Sequence, residues 1–426
     1  MIFVDGQNRS AEARHPRARR QRDGATPLIC FSHLRWSFVW QRPQHLLSRM
    51  AQSRAVYVVE EPVFEDEAPI PSLRLAEDAG VTILTPVLPS RHGLPGGFGS
   101  GANPFIRSLL SQFFGGETGS IDATVWYYTP MALGALPANV FPDIVVFDAM
   151  DELSNFLGAP EDLVSRENRL LRTADLVFAG GPSLYQRRKH LNPHAHCFPS
   201  GVDAAHFSAK SETPPSDIAT LPGPVIGFYG VLDERIDLGL LDALARMRPE
   251  WSLALIGPVA KIEEGDLPRR DNIHYFGMRT YGELPAYLQC FDAAILPFAI
   301  NDATKFISPT KTLEYLAGGK PIVSTPIKDV MELYGSVVEI ASTPADFVDA
   351  IERLWAEAGP ARLERRRRTR AVLARHDWDV IAANMGQLMD DALRARANRP
   401  VAAMHPAVWT DRTPLRHGAV KSEVGD

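Results

Sequence analysis

Residues 308–327 read SPTKTLEYLAGGKPIVSTPI, and this stretch carries its own punctuation. Ser308 is suited to a helix N-cap and Pro309 to the first helical position, while Gly318 and Gly319 stop the helix before the β-branched run KPIVST. The result is a helix of about two and a half turns feeding a short strand, the repeating unit of an α/β sheet. Leu313, Leu316 and Ala317 can face that sheet, which leaves Lys311 and Glu314, three residues apart, on one face at the amino end. Such a pair is either a solvated surface ion pair or a set of ligand contacts. A helix amino terminus with a lysine suits a diphosphate, and a carboxylate one turn on can accept two hydrogen bonds from a ribose diol. Spacing leaves both readings open.

The same alternation extends in both directions. PLICFSHL, AVYVVEE, VTILTPVL, ATVWYYTP, DIVVFDAM and ADLVFAGG precede a Pro-, Ser- and acid-rich stretch, and PVIGFYG, SLALIGPV, NIHYFG, AAILPF, KPIVST and VVEIAS follow it, with helical patterns between. Continuous apolar runs of this kind are expected of parallel strands buried on both faces. Two βαβ series about a near-central linker predict an α/β chain of two doubly wound, Rossmann-like domains with ligands in the cleft between them. The boundaries expected are a tail at 1–26, an N-terminal Rossmann-like domain at 27–207, a linker at 208–224, a C-terminal Rossmann-like domain at 225–375, a helix at 376–396 returning to the first domain, and a tail at 397–426. No repeat of 20–50 residues interrupts this order.

Composition sets the class. Of 426 residues, 45% are hydrophobic and 23% charged, as in a globular protein, and the net charge of −6 offers no general attraction to nucleic acid. The three cysteines, Cys30, Cys197 and Cys290, are scattered among apolar residues, which predicts buried free thiols and a cytoplasmic setting. The arginine-rich start has the wrong order for a secretory signal, and no segment has the ~20 apolar residues of a membrane span. The run RLERRRRTR (362–370) reads first as a solvated helix face, with a polyanion or peripheral membrane contact as the other reading.

Two further segments hold candidate site residues. FSHLRWSFVWQRPQHLL leaves a strand through a loop into a helix, so His33, Arg35, Trp36 and Arg42 stand as acceptor-binding candidates; the plainer reading packs the aromatics as core and leaves Arg42 to cap the helix. VVFDAMDELSNF ends a strand with Asp148, Asp151 and Glu152, of which Asp151 is the candidate general base on an acceptor hydroxyl, with N-capping as the alternative role. His194 and His196 lack a third ligand, so no metal site is expected.

SPTKTLEYLAGGKPIVST, together with GFYGVLDERID, HDWDVIAANMGQLM, ENRLLRTADLVFAGG and FPSGVDAAHF, resembles the GT-B glycosyltransferases of the group 1 type over about residues 27–396. The resemblance matches Glu314 to the second glutamate of that family's E-x7-E signature and implies ribose binding. It implies that Lys311, Thr310 and the backbone after Ser308 face the diphosphate, that Gly227 or Gly230 allows close approach to the phosphates, and that Arg235 offsets charge on the departing diphosphate. The first glutamate of the signature falls at Phe306 here, with Asn301 and Asp302 as the nearby polar residues. The function implied is transfer of a sugar, with retained configuration, from a nucleotide-sugar donor of UDP type to a saccharide or lipid-linked hydroxyl acceptor in bacterial envelope or exopolysaccharide synthesis, without metal or other cofactor. A nucleotide-sugar epimerase of the same fold and a non-catalytic sugar-nucleotide-binding partner are the competing readings.

Overall fold

The computed structural model describes residues 2–4, 25–90, 96–116, 119–155, 158–211 and 213–397. Two sheets organise it. The N-terminal sheet has ten strands in the order Ile2–Val4, Ser72–Asp78, Val81–Pro89, Val56–Glu60, Leu28–Ser32, Ile121–Tyr127, Val140–Ala149, Leu176–Ala179 and Ala195–Cys197, with Val63–Glu65 paired to Val81–Pro89 off that line. Its pairings are parallel except that of Ser72–Asp78 with Val81–Pro89. The C-terminal sheet is wholly parallel, in the order Ile273–Tyr275, Ser252–Ile256, Val225–Tyr229, Ala293–Leu296, Ile322–Ser324 and Glu339–Ile340. The central strands are buried along their whole length, as crossover helices on both faces require.

Residues 2–4 correct the expected N-terminal tail, because they pair in register with Leu73–Leu75 as an edge strand. The rest of that tail, residues 5–24, and the tail after 397 lie outside the described residues. The helix Trp378–Ala397 crosses back to the first domain: Trp378, Ile381, Met385 and Met389 are buried in one core with Leu28, Leu46, Leu47 and Trp126. The three cysteines are free thiols, of which Cys30 is buried and the other two half-buried.

Both sheets direct the carboxyl ends of their central strands at a common cleft, which segments of both domains line. Leu28–Ser32 leads into the loop before the helix Arg42–Met50, Val140–Ala149 ends just before Asp151, and Val225–Tyr229 ends at Gly230. The domains also touch directly. Asn155 Nδ2 donates to the Asp302 carbonyl at 2.8 Å, and the Ser183 amide donates to Asp329 Oδ1 at 3.1 Å.

Candidate active site in the interdomain cleft

The cleft has two lobes that share Gln41, Arg235, Phe298, Pro309 and Thr310. The first, of about 160 Å³, is enclosed mainly by the C-terminal domain: Tyr229, Gly230, Gly257, Met278, Arg279 and Lys311. The second, of about 120 Å³, joins Arg42, Asp151 and Ser200 of the N-terminal half to Arg235 and Ser308–Thr310. Strand-end loops of two α/β domains meeting in this way form the usual ligand site of such folds.

Glycine sets the floor of the first lobe. Gly257, at φ +144°, approaches so closely that a Cβ there would stand 1.9 Å from the Gly230 carbonyl oxygen, and Gly230 itself has φ +155°. Gly227, the other sequence candidate, has a different task, since a Cβ on it would meet the Phe291 ring at 2.2 Å. It is a packing glycine inside the strand.

The helix at the lip is shorter than expected. It spans Lys311–Ala317, and Thr310 occupies the cap position without a side-chain cap hydrogen bond. Ser308 is therefore not the N-cap. Its carbonyl accepts Ser200 Oγ at 3.5 Å, and Gly181 of the first domain packs over it, so a contact between domains holds this segment out of the helix. Seven residues carry little helix dipole, and the charge at this end comes chiefly from Lys311.

Lys311 Nζ lies 5.3 Å above the Tyr229 ring and donates to Glu314 Oε1 at 3.2 Å. Glu314 is only 5% exposed, so the pair is not the solvated surface bridge that spacing alone allowed. Ser308 Oγ is buried without a hydrogen-bond partner, and the buried Glu314 Oε2 has none beyond the neighbouring Tyr229 hydroxyl. Buried acceptors left open in this way mark a place where a ligand hydroxyl or water completes the set.

On the same lip, Asp233 grips Arg235: Nε lies 2.9 and 3.0 Å from its two oxygens and Nη2 2.6 Å from Oδ2. The opposing residue is Asp151. Burial raises its pKa, and the charges of Arg235, Arg42, Arg188 and Lys261 only partly offset this. A carboxyl so placed remains protonated to higher pH than an ordinary aspartate.

Of the other acceptor candidates, only Arg42 lines a lobe. Its Nε spans both oxygens of the buried Asp148 at 3.2 and 2.9 Å, its Nη1 donates to the Phe198 carbonyl at 2.8 Å, and its Nη2 is unpartnered. The structure corrects Arg35 and Trp36. Arg35 is tied to Glu60 and to the carbonyls of Glu61 and Pro62, and Trp36 donates from its indole to Asp78 at 2.8 Å while its amide is held by Glu60 at 2.7 Å. These bonds fasten the loop to its own domain and leave neither side chain in the lobes. His33 is half-buried outside both lobes, and burial, then the Lys261 charge, hold its imidazole neutral with a pKa lowered to about 4.

Phe306, at the position where the resemblance places a glutamate, packs beneath Arg187 of the first domain at 5.3 Å and lines neither lobe. Asn301 and Asp302 do not line them either, since Asn301 braces Thr304. Sequence reasoning missed Gln41, Tyr229, Met278 and Arg279. The signal available for the last two was their position, FGMRT, directly after the strand Ile273–Tyr275.

Fold and cleft together define a class of architecture: two Rossmann-like domains facing each other across a ligand cleft, the GT-B arrangement. Within it, residues 223–357 match the family described as "Glycosyl transferases group 1". Among individual proteins, the chain is 24% identical over 296 residues to TuaH of Bacillus subtilis (strain 168), a protein assigned without proof to teichuronic acid biosynthesis as a glycosyltransferase; the match covers 65% of this chain and 74% of TuaH. The fold is also that of sucrose-phosphate synthase from Thermosynechococcus elongatus, with a TM-score of 0.62 at 15% identity, covering 87% of this chain and all of that one. HepE of Anabaena in complex with UDP-glucose gives a TM-score of 0.61 at 15% identity, over 86% of this chain and all of that one.

Proposed function

We propose that the protein transfers a sugar from a UDP-sugar to a hydroxyl of a saccharide or lipid-linked acceptor in envelope or exopolysaccharide synthesis. One observation carries this reading: Asp151 stands on one wall of a lobe whose other wall holds Arg235 and Ser308–Thr310. In this reading the nucleotide occupies the first lobe, its diphosphate lies along Gly230, Thr310 and Lys311, and its ribose hydroxyls complete Glu314. Arg235 offsets the charge that grows on the departing diphosphate, and Arg42 orients the acceptor. The cations at the lobe junction supply that offset without a resident metal. Anomeric configuration is retained, as in the E-x7-E group, with the acceptor hydroxyl attacking from the face that the diphosphate leaves and the departing phosphate oxygen helping Asp151 to take its proton. The site works on the cytoplasmic side, where nucleotide sugars are made.

Asp151→Asn is the test. It is expected to lower turnover by about 10²–10⁴-fold, the usual contribution of a general base, while UDP affinity by calorimetry stays within a few-fold. In the unaltered protein, kcat/KM is expected to rise with pH through an acid limb lying above the ordinary aspartate range, because burial raises the Asp151 pKa and only the ionised form accepts the proton. Full turnover in the variant, or an unchanged acid limb, would remove Asp151 from this role. Product analysis separates transfer from its competitors: UDP released only with added acceptor marks transfer, and an altered intact donor marks epimerisation.

A second outcome concerns the donor. Glu314→Ala is expected to weaken UDP binding by about 1–3 kcal/mol, the worth of hydrogen bonds to a charged acceptor. A 2′,3′-dideoxy analogue of UDP, which lacks the ribose diol, should bind both proteins equally. Calorimetry showing equal UDP affinity for variant and parent would reject the ribose assignment.

A further inference from the structure

We propose that the arginine-rich helix Gly359–Arg375 carries a second site, for a phosphate-bearing anion, at the end of the C-terminal sheet opposite the cleft. A cavity of about 480 Å³ lies between this helix and the sheet, lined by Lys320, Trp355, Arg362, Arg365, Arg366 and Arg370 among others. Lys320 and Pro321 immediately precede the strand Ile322–Ser324, and Asp292 precedes Ala293–Leu296, so the cavity sits at the amino ends of these strands. The proposed donor lobe is at their carboxyl ends, so one ligand cannot occupy both.

The charge there is out of keeping with the chain. The helix GPARLERRRRTRAVLAR holds seven arginines against one glutamate, in a protein whose net charge is −6. Arg367 and Arg368 share Glu364, and Arg365 is paired with Glu357. Arg362, Arg366 and Arg370, exposed and four residues apart along one face, have no ion-pair partner among the described residues. Like charges at this spacing each cost about 0.2–0.5 kcal/mol in an isolated helix, and the helix fully buries only Val372 to offset that. At the back of the cavity, Lys320 Nζ donates to the carbonyls of Gln289 at 2.9 Å and Phe291 at 2.7 Å, which fixes the ammonium and leaves one N–H uncommitted. Asp292, the carboxylate on the lining, already accepts the Val225 amide at 2.8 Å.

Three guanidinium forks and a fixed ammonium around such a volume match a phosphate group, whose oxygens accept paired N–H bonds and whose charge removes the repulsion along the helix. The phosphate can come from a soluble ester or from the headgroup of an anionic lipid; Leu363, 70% exposed beside the stripe, would meet the lipid surface in the second case.

The full chain and an Arg362→Gln, Arg366→Gln, Arg370→Gln variant test this in two arms. Inorganic phosphate is titrated by calorimetry and thermal shift, and flotation is measured with phosphatidylcholine vesicles with and without phosphatidylglycerol. The parent protein is expected to bind in at least one arm, with affinity that falls as salt is added, and the variant about tenfold or more weaker. Binding to phosphate assigns the soluble source; flotation only with phosphatidylglycerol assigns the headgroup. UDP affinity and circular dichroism, unchanged in the variant, show that the cleft and fold are intact. If the parent binds in neither arm, or the variant binds as the parent does, the proposal is wrong.

Discussion

Arg235→Ala is expected to lower turnover by about 10²–10³-fold, equivalent to about 2.7–4 kcal/mol of transition-state stabilisation, with a much smaller change in UDP affinity. The asymmetry follows from when the charge appears. The ground-state diphosphate is already esterified to the sugar, and the extra negative charge develops only as the glycosidic bond breaks, so a cation at that point acts mainly on the transition state. The Arg235 guanidinium is fixed in place. Asp233, 4% exposed, grips Nε and Nη2, and also accepts the Arg235 backbone amide at 3.0 Å. Arg235→Lys retains charge but not the fork, so partial recovery is expected. A pre-steady-state measurement of sugar transfer checks both variants. Equal rates for Arg235→Ala and parent would show that the charge on the leaving group is met elsewhere.

The strands were legible because a doubly wound sheet buries its central strands on both faces, which requires unbroken apolar runs such as VYVVE and SLALI. Ser72–Asp78 escaped for the converse reason. Its sequence, SLRLAED, alternates and is largely solvent-facing at its end, and its antiparallel pairing near the sheet edge demands no apolar run. The strand Ile2–Val4 depends on a partner some seventy residues away, which no local pattern records. In the site, residue types were more legible than directions. Strand-end loops pointed to Asp151 and Arg42 and the family resemblance added Arg235, and all three line the lobes. The same rule nominated Arg35 and Trp36, whose side chains turn back to Glu60 and Asp78; a loop's position does not fix where its side chains go. Ser308 failed as a cap because its neighbours, Gly181 and Ser200, belong to the other domain, and capping rules see only the local chain.

Asp148→Ala is expected to destabilise the protein by about 3–5 kcal/mol, measured by denaturant unfolding. Asp148 and Arg42 are 0% and 3% exposed, respectively, and the arginine's remaining bond, to the Phe198 carbonyl, cannot neutralise it. Removing the carboxylate strands a guanidinium in the interior, and that stranded charge, more than the lost attraction, sets the size of the effect. Replacing both partners with apolar residues, Arg42→Met with Asp148→Leu, is therefore expected to recover most of the loss, since buried pairs and well-packed apolar substitutes differ little in net stability. A double variant as unstable as Asp148→Ala alone would show that shape rather than stranded charge dominates. Turnover separates the structural role of Arg42 from the acceptor role proposed for it. Arg42 also lines the lobe that holds Asp151, so the double variant should fold and bind UDP while transferring sugar poorly. If stability and turnover return together, Arg42 serves only to hold the first domain, and acceptor orientation lies with other residues of that lobe.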